Sequence, residues 1–236
     1  MTSVLPACAV VGHGRLGTAL AVALRDAGAP VDGPLGRGAA TDGAEVVFLA
    51  VPDAEIAAAA RAVAPGRLVG HCSGATTLAP VVATHVNAFS LHPLMTITSR
   101  GATFAGAYAA IAGTDDAARA TAETFARALG MTPFAVADAD RPAYHAAASI
   151  ASNFLVTLEW AAERIGGLER AALAPLVRAT VENWVNEGAR NALTGPIARG
   201  DDQTVEKQRQ AVSERTPELV GLFDAMTAAT RSLAAA

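Results

Sequence analysis

The 236-residue sequence is poor in several features that often reveal the class of a protein. Its two cysteines, Cys8 and Cys72, are too few for a disulfide framework, and both lie in apolar stretches where cysteine usually acts as a small buried hydrophobe. Lysine occurs once, at Lys207, and the formal net charge is −4. The sequence contains no block of like charges, so it lacks the basic face that nucleic acids and membrane surfaces attract. We therefore expect no nucleic-acid partner.

Long apolar runs are missing as well. No stretch reaches the roughly 18 apolar residues that cross a bilayer. The N-terminus shows no basic segment ahead of an apolar run, which is the pattern of a secretory signal. We therefore expect a soluble, cytoplasmic protein without a membrane partner. Core-forming residues are abundant, because apolar residues make up 52% of the chain and charged residues 17%.

The first half of the chain alternates short apolar strands with helices. Strands are expected at residues 7–12, 31–36, 45–51, 68–71, 87–91, 108–112 and 132–136. Helices are expected at residues 16–27, 52–64 and 115–129. This alternation is typical of a doubly wound parallel sheet with helices on both faces.

From about residue 138 onward, only helical periodicity is present. Helices are expected at residues 142–164, 169–191, 204–213 and 217–233. We therefore predict the α/β class with two domains, a doubly wound sheet in residues 1–137 and an all-helical domain in residues 138–236. The helical domain is expected to contribute to the substrate site.

A glycine-rich turn lies between the first expected strand and the first expected helix. We predict cofactor contacts from all of its residues, which are Gly12, His13, Gly14, Arg15, Leu16 and Gly17. The turn matches G-x-G-x-x-G in the strand-to-helix context that a Rossmann fold requires. Gly12 makes the tight turn, Gly14 admits the pyrophosphate, and Gly17 lets the helix pack closely on the strand. The helix N-terminus then presents free N–H groups to the phosphates.

The end of the second strand decides between NAD and NADP. An acidic residue there binds the ribose 2′-hydroxyl, whereas an arginine accommodates a 2′-phosphate. Asp32 has a spacing that suits the acidic role. However, Gly28 ends the preceding helix, and a strand of ordinary length then reaches about Gly36 and leaves Arg37 at its tip. We favour Arg37 and therefore NADP(H), with Asp32 and NAD as the alternative.

Ligands of open α/β sheets bind at the carboxyl ends of the strands. This rule places Val51 and Pro52 beside the cofactor, and it places Ser73, Gly74 and His92 where nicotinamide and substrate would meet. The Ser73 turn could hold a substrate carboxylate, or it could be an ordinary serine turn. His92 could reach the pocket or could hydrogen-bond a neighbouring loop.

Polar residues on the first helix of the second half are candidates for the chemistry. Reduction of a C=O or C=N bond needs a proton donor, and His145 is our first choice because histidine titrates near neutral pH. Asn153 lies about two helical turns further on, and Ser149 falls between them on the same expected face. Tyr144 is a weaker candidate acid. Thr194 is a candidate substrate contact, although it also suits a structural corner.

The chain resembles the family labelled domain of unknown function 2520, which combines a Rossmann domain with a helical C-terminal domain. The resemblance covers nearly the whole chain and rests on the glycine turn and on five further stretches, 49–53, 71–74, 90–93, 144–147 with Asn153, and 192–201. The N-terminal half is also similar to deazaflavin-dependent NADP reductases, pyrroline-carboxylate reductases, ketopantoate reductases and β-hydroxyacid dehydrogenases. The resemblance implies an NADP-linked oxidoreductase with a C-terminal domain like that of 6-phosphogluconate dehydrogenase, and a homodimer formed through that domain.

One departure from these relatives concerns the catalytic lysine. β-Hydroxyacid dehydrogenases and ketopantoate reductases carry it on the first long helix after the nucleotide domain. Here that helix contains no lysine, and Lys207 lies in a polar run further on. The chemistry of those enzymes therefore does not transfer intact.

The leading hypothesis is hydride transfer between NADP(H) and a small carbonyl or imine substrate. Two alternatives stay open, namely an NADP(H)-binding sensor without turnover and hydride exchange between a deazaflavin and NADP. The histidines form no H-x-x-x-H pair, and the cysteines no C-x-x-C, so we expect no metal site.

Overall fold

The structure, a computed structural model, describes residues 5–98 and 101–236. The chain forms two compact units, an N-terminal unit up to Ile150 and a C-terminal unit, Ala151–Ala236. This division follows the helix Arg141–Ser149, whereas the boundary expected from the sequence precedes it. The assignment of residues 138–236 to a functional domain stays a prediction.

The N-terminal unit contains the strands and helices expected from the alternating pattern, with small shifts at their ends. Its strands are β1 Cys8–Val11, β2 Val31–Leu35, β3 Val46–Leu49, β4 Leu68–His71, β5 Ala88–Leu94, β6 Tyr108–Gly113 and β7 Thr132–Ala135. Its helices are α1 Arg15–Asp26, α2 Ile56–Arg61, α3 Ala79–Val82, α4 Asp116–Ala128 and α5 Arg141–Ser149. The short helix α3 was not expected from the sequence.

The seven strands form one sheet in the order β2-β1-β3-β4-β5-β6-β7, so β2 and β7 are its edges. Every neighbouring pair is parallel except β5 and β6, which are antiparallel. The doubly wound parallel sheet expected from the sequence is therefore confirmed, apart from this one antiparallel pair. A parallel neighbour needs a long crossover, usually a helix, and the described residues between Leu94 and Tyr108 contain no helix. The carboxyl ends of β1, β3, β4 and β5 consequently meet at one edge.

The core of the N-terminal unit lies on both faces of this sheet. Every residue of β1 and β3 is buried, as expected for central strands covered by helices on both sides. Three aromatic rings anchor one face, where Phe48 packs edge-to-face against Phe89 and Phe125 at centroid distances of 5.2 and 5.0 Å. Burial of each such side chain contributes about 1.5–3 kcal/mol, so this face holds the strand ends in fixed positions.

The C-terminal unit is helical, as predicted. Its helices are α6 Leu155–Gly166, α7 Arg170–Glu187, α8 Ala189–Ala192, α9 Asp202–Arg215 and α10 Val220–Ala235. The Asp201 side chain accepts a hydrogen bond from the Thr204 N–H at 3.1 Å and so caps α9. The long helix expected at residues 142–164 is interrupted, because Ile150–Phe154 form a π-helical segment between α5 and α6.

Candidate active site

The glycine turn joins β1 to the N-terminus of α1. A Cβ atom on Gly12 would lie 2.2 Å from the Ala50 carbonyl oxygen, and Gly12 has a φ of +117°. A Cβ atom on Gly17 would lie 1.8 Å from the Gly12 carbonyl oxygen. Both positions therefore require glycine for packing reasons. A Cβ atom on Gly14 would meet nothing within 4 Å, so this glycine faces open space at the end of the helix.

One cleft of about 410 Å³ extends from the glycine turn along the ends of β2 and β3. Arg37, which follows β2, lines this cleft, and its Nη2 atom lies 2.7 Å from Oε2 of Glu55, which also lines it. The Arg37 side chain is 85% exposed, so a bound anion could reach its guanidinium. Asp32 lies earlier in β2, opposite Ala9 of β1, and is not among the lining residues. The strand register thus brings Arg37, rather than Asp32, to the cleft.

A second cleft of about 440 Å³ adjoins the first. The two share lining residues at the end of β3 and in the glycine turn, which are Gly14, Ala50, Val51 and Pro52. The second cleft brings together several residues that the sequence singled out, namely Arg15, Leu16, Ser73, Gly74, His92 and His145. All of them belong to the N-terminal unit, so this part of the candidate site is complete within that unit.

The turn after β4 has its polar groups largely paired within the protein. The Ser73 hydroxyl accepts hydrogen bonds from the N–H groups of Ala75 and Thr76 at 3.2 and 2.9 Å, which is a serine turn. The same hydroxyl donates to Asp53 Oδ2 at 2.8 Å, and the Thr76 hydroxyl donates to that oxygen at 2.9 Å. Because a carboxylate already lies against the hydroxyl, an anionic ligand is disfavoured at that atom.

His71 is the last residue of β4, contacts this turn and is fully buried. Its Nε2 lies 3.0 Å from the Thr77 carbonyl oxygen, and its Nδ1 accepts from the Ser73 N–H at 3.2 Å. Burial, together with the Arg141 charge, lowers the pKa of His71 to about 4. The imidazole is therefore neutral at pH 7, with Nε2–H as the donor, and it holds the turn in place.

Sequence reasoning missed Arg141, whose side chain is only 1% exposed. Its guanidinium donates to Asp138 Oδ1 at 2.8 Å, to Ser90 Oγ at 2.6 Å and to the Ser73 carbonyl oxygen at 3.5 Å. These bonds tie the start of α5 to β5 and to the turn after β4. The spacing of Asp138 and Arg141 at a helix start could have suggested an ion pair, but nothing local indicates that the arginine is buried.

His92 lies within β5, opposite Ala110 of β6, rather than beyond the end of the strand as expected. Its Nδ1 atom is 2.6 Å from the hydroxyl oxygen of Tyr144, which lies on α5. The rings of His92 and His145 are 6.4 Å apart between centroids. Burial first, then the nearby His145 and Arg141, lower the pKa of His92 to about 4. Burial raises the pKa of Tyr144 to about 12.

Three further predicted residues lie outside these clefts. Ser149 is the last residue of α5 and is partly buried. Asn153 is exposed within the π-helical segment, so the α-helical spacing that was expected to align it with His145 does not hold there. Thr194 is exposed between α8 and α9. Asn153 and Thr194 belong to the C-terminal unit, and the roles of all three stay predictions.

Within residues 5–98 and 101–236, no group of three His, Cys, Asp or Glu side chains is placed to hold a metal ion. In the same part of the chain, no helix combines the length and the apolar character that crossing a membrane requires.

Several solved structures share this fold. A Bacteroides fragilis protein provisionally assigned as an NADP oxidoreductase superimposes with a TM-score of 0.82 at 16% identity, over 97% of this chain and 98% of that one. The Thermotoga maritima protein TM1727 gives a TM-score of 0.82 at 24% identity, over 97% and 100%. A reductive aminase from Aspergillus terreus, in complex with NADPH and ethyl-5-oxohexanoate, gives a TM-score of 0.63 at 16% identity, over 96% and 95%. At such identities the likeness shows the Rossmann fold.

Sequence comparison gives a narrower result. No curated protein matches the chain. The model of the family described as a domain of unknown function (DUF2520) matches residues 107–230, which is more than half of the chain. The resemblance stated from the sequence motifs is thereby confirmed, and the chain belongs to the DUF2520 family.

Proposed function

We propose that the protein is an oxidoreductase that uses NADP(H) to transfer hydride to or from a small carbonyl or imine substrate. The observation that carries this proposal is the continuity of the two clefts. One runs from the glycine turn to Arg37, and the other runs from the same turn to His92 and His145. A dinucleotide lying across the turn would place its adenosine end in the first cleft and its nicotinamide beside the imidazoles of the second.

The chain's own residues fit such a cofactor. Gly14 leaves space at the N-terminus of α1, where the first N–H groups of the helix have no intrahelical acceptors. Arg37 would bind the 2′-phosphate, for which its 2.7 Å ion pair with Glu55 would have to open or share the guanidinium. Further contacts would come from residues around the turn and at the end of β3, which are Gly12, His13, Arg15, Leu16, Gly17, Val51 and Pro52. The bound cofactor supplies the hydride.

The substrate would lie in the second cleft. Gly74, the backbone of Ser73 and the imidazoles of His92 and His145 offer small, polar surroundings for a carbonyl or imine group. The solved relatives support this class of substrate, since one of them is a reductive aminase with a bound oxo-ester. Contacts from Ser149, Asn153 and Thr194 are proposed on the sequence argument alone.

We also propose a homodimer formed through the helical unit. Large apolar side chains are exposed along the helices of the C-terminal unit, among them Val156, Trp160, Leu176, Trp184 and Val185. A set of large exposed apolar side chains is typical of a protein–protein interface. A second copy of the chain is the proposed occupant, because homodimers are the commonest soluble oligomers.

Calorimetric titration with NADPH and NADH, run in parallel, tests the proposed cofactor. We expect NADPH to bind more tightly than NADH. Arg37→Ala should weaken the affinity for NADPH at least about tenfold, because it removes a charge-assisted hydrogen bond. The affinity for NADH should stay unchanged. Arg61→Ala is the matched control, because Arg61 is an exposed arginine of α2 that does not line the cleft.

The opposite results are equally informative. If NADH binds as tightly as NADPH and Arg37→Ala changes neither affinity, Asp32 is the residue that binds the ribose 2′-hydroxyl, and NAD is the cofactor. Failure of both dinucleotides to bind would end the oxidoreductase proposal. Tight NADPH binding without oxidation by any ketone or imine in a broad panel would favour a binding protein without turnover.

A further inference from the structure

His92 and Tyr144 form a close pair that the sequence did not predict. The Nδ1 atom of His92, in β5, lies 2.6 Å from the hydroxyl oxygen of Tyr144, in α5. The two rings meet edge-to-face with centroids 5.6 Å apart. A second aromatic contact supports Tyr144, whose ring lies 5.9 Å from that of Phe134 between centroids. A separation of 2.6 Å is at the short end for a hydrogen bond between a hydroxyl and a ring nitrogen.

The direction of this hydrogen bond follows from the acidity of the two groups. A phenol is a better proton donor than a neutral imidazole, and an imidazole nitrogen is a better acceptor than a phenol oxygen. Tyr144 therefore donates to Nδ1, and the ring hydrogen of His92 lies on Nε2. Burial keeps both groups uncharged at neutral pH, since it lowers the pKa of His92 to about 4 and raises that of Tyr144 to about 12.

The ring of His92 also packs against Gly74. A Cβ atom on Gly74 would lie 2.8 Å from Cε1, 2.9 Å from Nδ1 and 3.0 Å from Nε2 of His92, so the part of the ring that carries both nitrogens packs directly over this glycine. His92, Gly74 and His145 together line the second cleft. With Nδ1 occupied by Tyr144, Nε2–H is the ring donor left for a ligand in that cleft.

We propose that His92 is the hydrogen-bond and proton donor to the reacting oxygen or nitrogen of the substrate, and that Tyr144 acts through His92 as its positioning residue and proton source. This inference rests on the proposed function. It assigns the donor role to a different residue from His145, which the sequence favoured. His145 is exposed at the rim of the cleft.

The proton balance can be written for a carbonyl substrate. Hydride from the reduced nicotinamide forms a C–H bond at the carbonyl carbon, and the π electron pair of C=O moves to oxygen. The Nε2–H proton of His92 passes to that oxygen while the Tyr144 hydroxyl proton passes to Nδ1. His92 ends neutral with its hydrogen on Nδ1, and Tyr144 is left as the phenolate until water reprotonates it. An imine follows the same course with nitrogen in place of oxygen.

Spectroscopy of the histidine rings tests the pair without relying on turnover. Long-range ¹H–¹⁵N spectra of protein labelled with ¹⁵N-histidine report which ring nitrogen carries the hydrogen. We expect His92 to be the Nε2–H tautomer from about pH 5.5 to about pH 8.5. The charged and titratable groups that act on His92 in this range are His145, Arg141, Asp53, His71 and Tyr144.

Tyr144→Phe should shift the Nδ1 resonance of His92, because it removes the hydrogen bond while keeping the ring. Tyr108→Phe is the matched control, since Tyr108 is the other tyrosine of the chain and lies exposed in β6. An Nδ1–H tautomer in the wild type, or a His92 signal that Tyr144→Phe leaves in place, would overturn the relay.

The kinetic arm uses NADPH with ethyl 5-oxohexanoate as the ketone probe, with and without methylamine to form the imine. Tyr144→Phe and His92→Asn should each lower kcat about 10²- to 10⁴-fold with NADPH affinity unchanged. The double variant should be little worse than either single variant, because the two groups act as a unit. Full activity of Tyr144→Phe, with loss of activity in His145→Gln, would return the donor role to His145.

The two proposals fail in different ways. If the wild type binds no dinucleotide, or reduces neither probe, the proposed function is at fault, and the histidine spectra still decide whether the pair has the stated tautomer. If the wild type turns over and the two variants do so equally well, the relay alone is wrong.

Discussion

The two units of the chain bury their apolar residues to very different extents. In the N-terminal unit, every residue of β1 and β3 is buried, and the aromatic cluster around Phe48 closes one face of the sheet. In the C-terminal unit, the buried apolar cluster consists of Ala161, Val212 and Leu219, and the 18-residue helix α7 has no buried residue. The sheet thus completes its own core, whereas the helices leave apolar surface that a single chain does not cover. The first arrangement supports a precise site, and the second leaves the exposed apolar side chains on which the proposed dimer rests.

The largest expected effect comes from truncating one aromatic side chain in each unit. Phe48→Ala should lower the free energy of unfolding by about 3–5 kcal/mol, because it leaves a cavity beside Phe89 and Phe125. Trp184→Ala, at a side chain that is 58% exposed, should change it by less than about 0.5 kcal/mol in dilute protein. Urea unfolding at low protein concentration measures the free energy of unfolding of both variants. A large cost of Trp184→Ala under these conditions would contradict the contrast between the units.

A second prediction concerns stability against pH in the N-terminal unit. His71 has a pKa of about 4 in the folded chain and about 6.5 when unfolded, so between these values the unfolded chain binds more protons. Its contribution to stability is therefore complete above about pH 6.5 and is lost as the pH falls toward 4, by roughly 3 kcal/mol. Urea unfolding of the wild type and of His71→Gln across this range should show a flatter profile for the variant.

A matched control for the pH prediction is His13→Gln, since His13 is exposed in the glycine turn. This variant should keep the full slope of the wild type. Equal slopes for His71→Gln and the wild type would mean that His71 is not held neutral by burial.

The third prediction compares two ion pairs of the same i,i+3 spacing. Arg141→Met should destabilise the chain by about 2–3 kcal/mol, because it leaves the buried Ser90 hydroxyl without its donor. Arg119→Met, in the exposed pair with Asp116, should cost about 0–1 kcal/mol. Thermal and urea unfolding measure both values. Equal losses of unfolding free energy in the two variants would show that burial of the Arg141 guanidinium does not increase its contribution to stability.

The smallest change in single-chain stability, and the clearest change in assembly, is expected on α7. Val185→Asp places a charge on the exposed apolar face, and the adjacent Asn186→Asp adds the same charge at a position that is already polar. Sedimentation should show that Val185→Asp weakens dimerisation at least about tenfold, since an unpaired charge is costly in an apolar interface, whereas Asn186→Asp has little effect. A monomeric wild type, or equal dissociation of both variants, would remove α7 from the proposed dimer interface.

Sequence patterns predicted the local structure well and the distant contacts poorly. Strand β4 was expected at residues 68–71 and is found there, because a short apolar run followed by a turn signal defines both of its ends. The glycine turn was equally predictable, because Gly12 and Gly17 each answer a steric demand within the fold, while Gly14 leaves open space at the end of the helix. The reversed direction of β6 was missed, although residues 95–107 carry no helical periodicity and so offer no helix for the crossover that a parallel neighbour needs.

The candidate site shows the same division. The ends of β3, β4 and β5 marked Pro52, Ser73 and His92 as rim residues, and the structure gathers them around adjoining clefts. The pairing of His92 with Tyr144 joins a strand to a distant helix, and no local pattern encodes it. Fold arguments can therefore indicate where a site lies, while the partner of each polar atom depends on the tertiary packing.

Both outer strands of the sheet contain a proline, Pro34 in β2 and Pro133 in β7. The N–H groups of Thr132 and Val136 point toward β6, so the proline nitrogen between them faces outward, where a further strand would need a donor. A strand from another molecule cannot pair fully along such an edge, and templated, fibre-like growth is thereby discouraged. Crowded copies of this chain are thus steered away from growing into open-ended sheets.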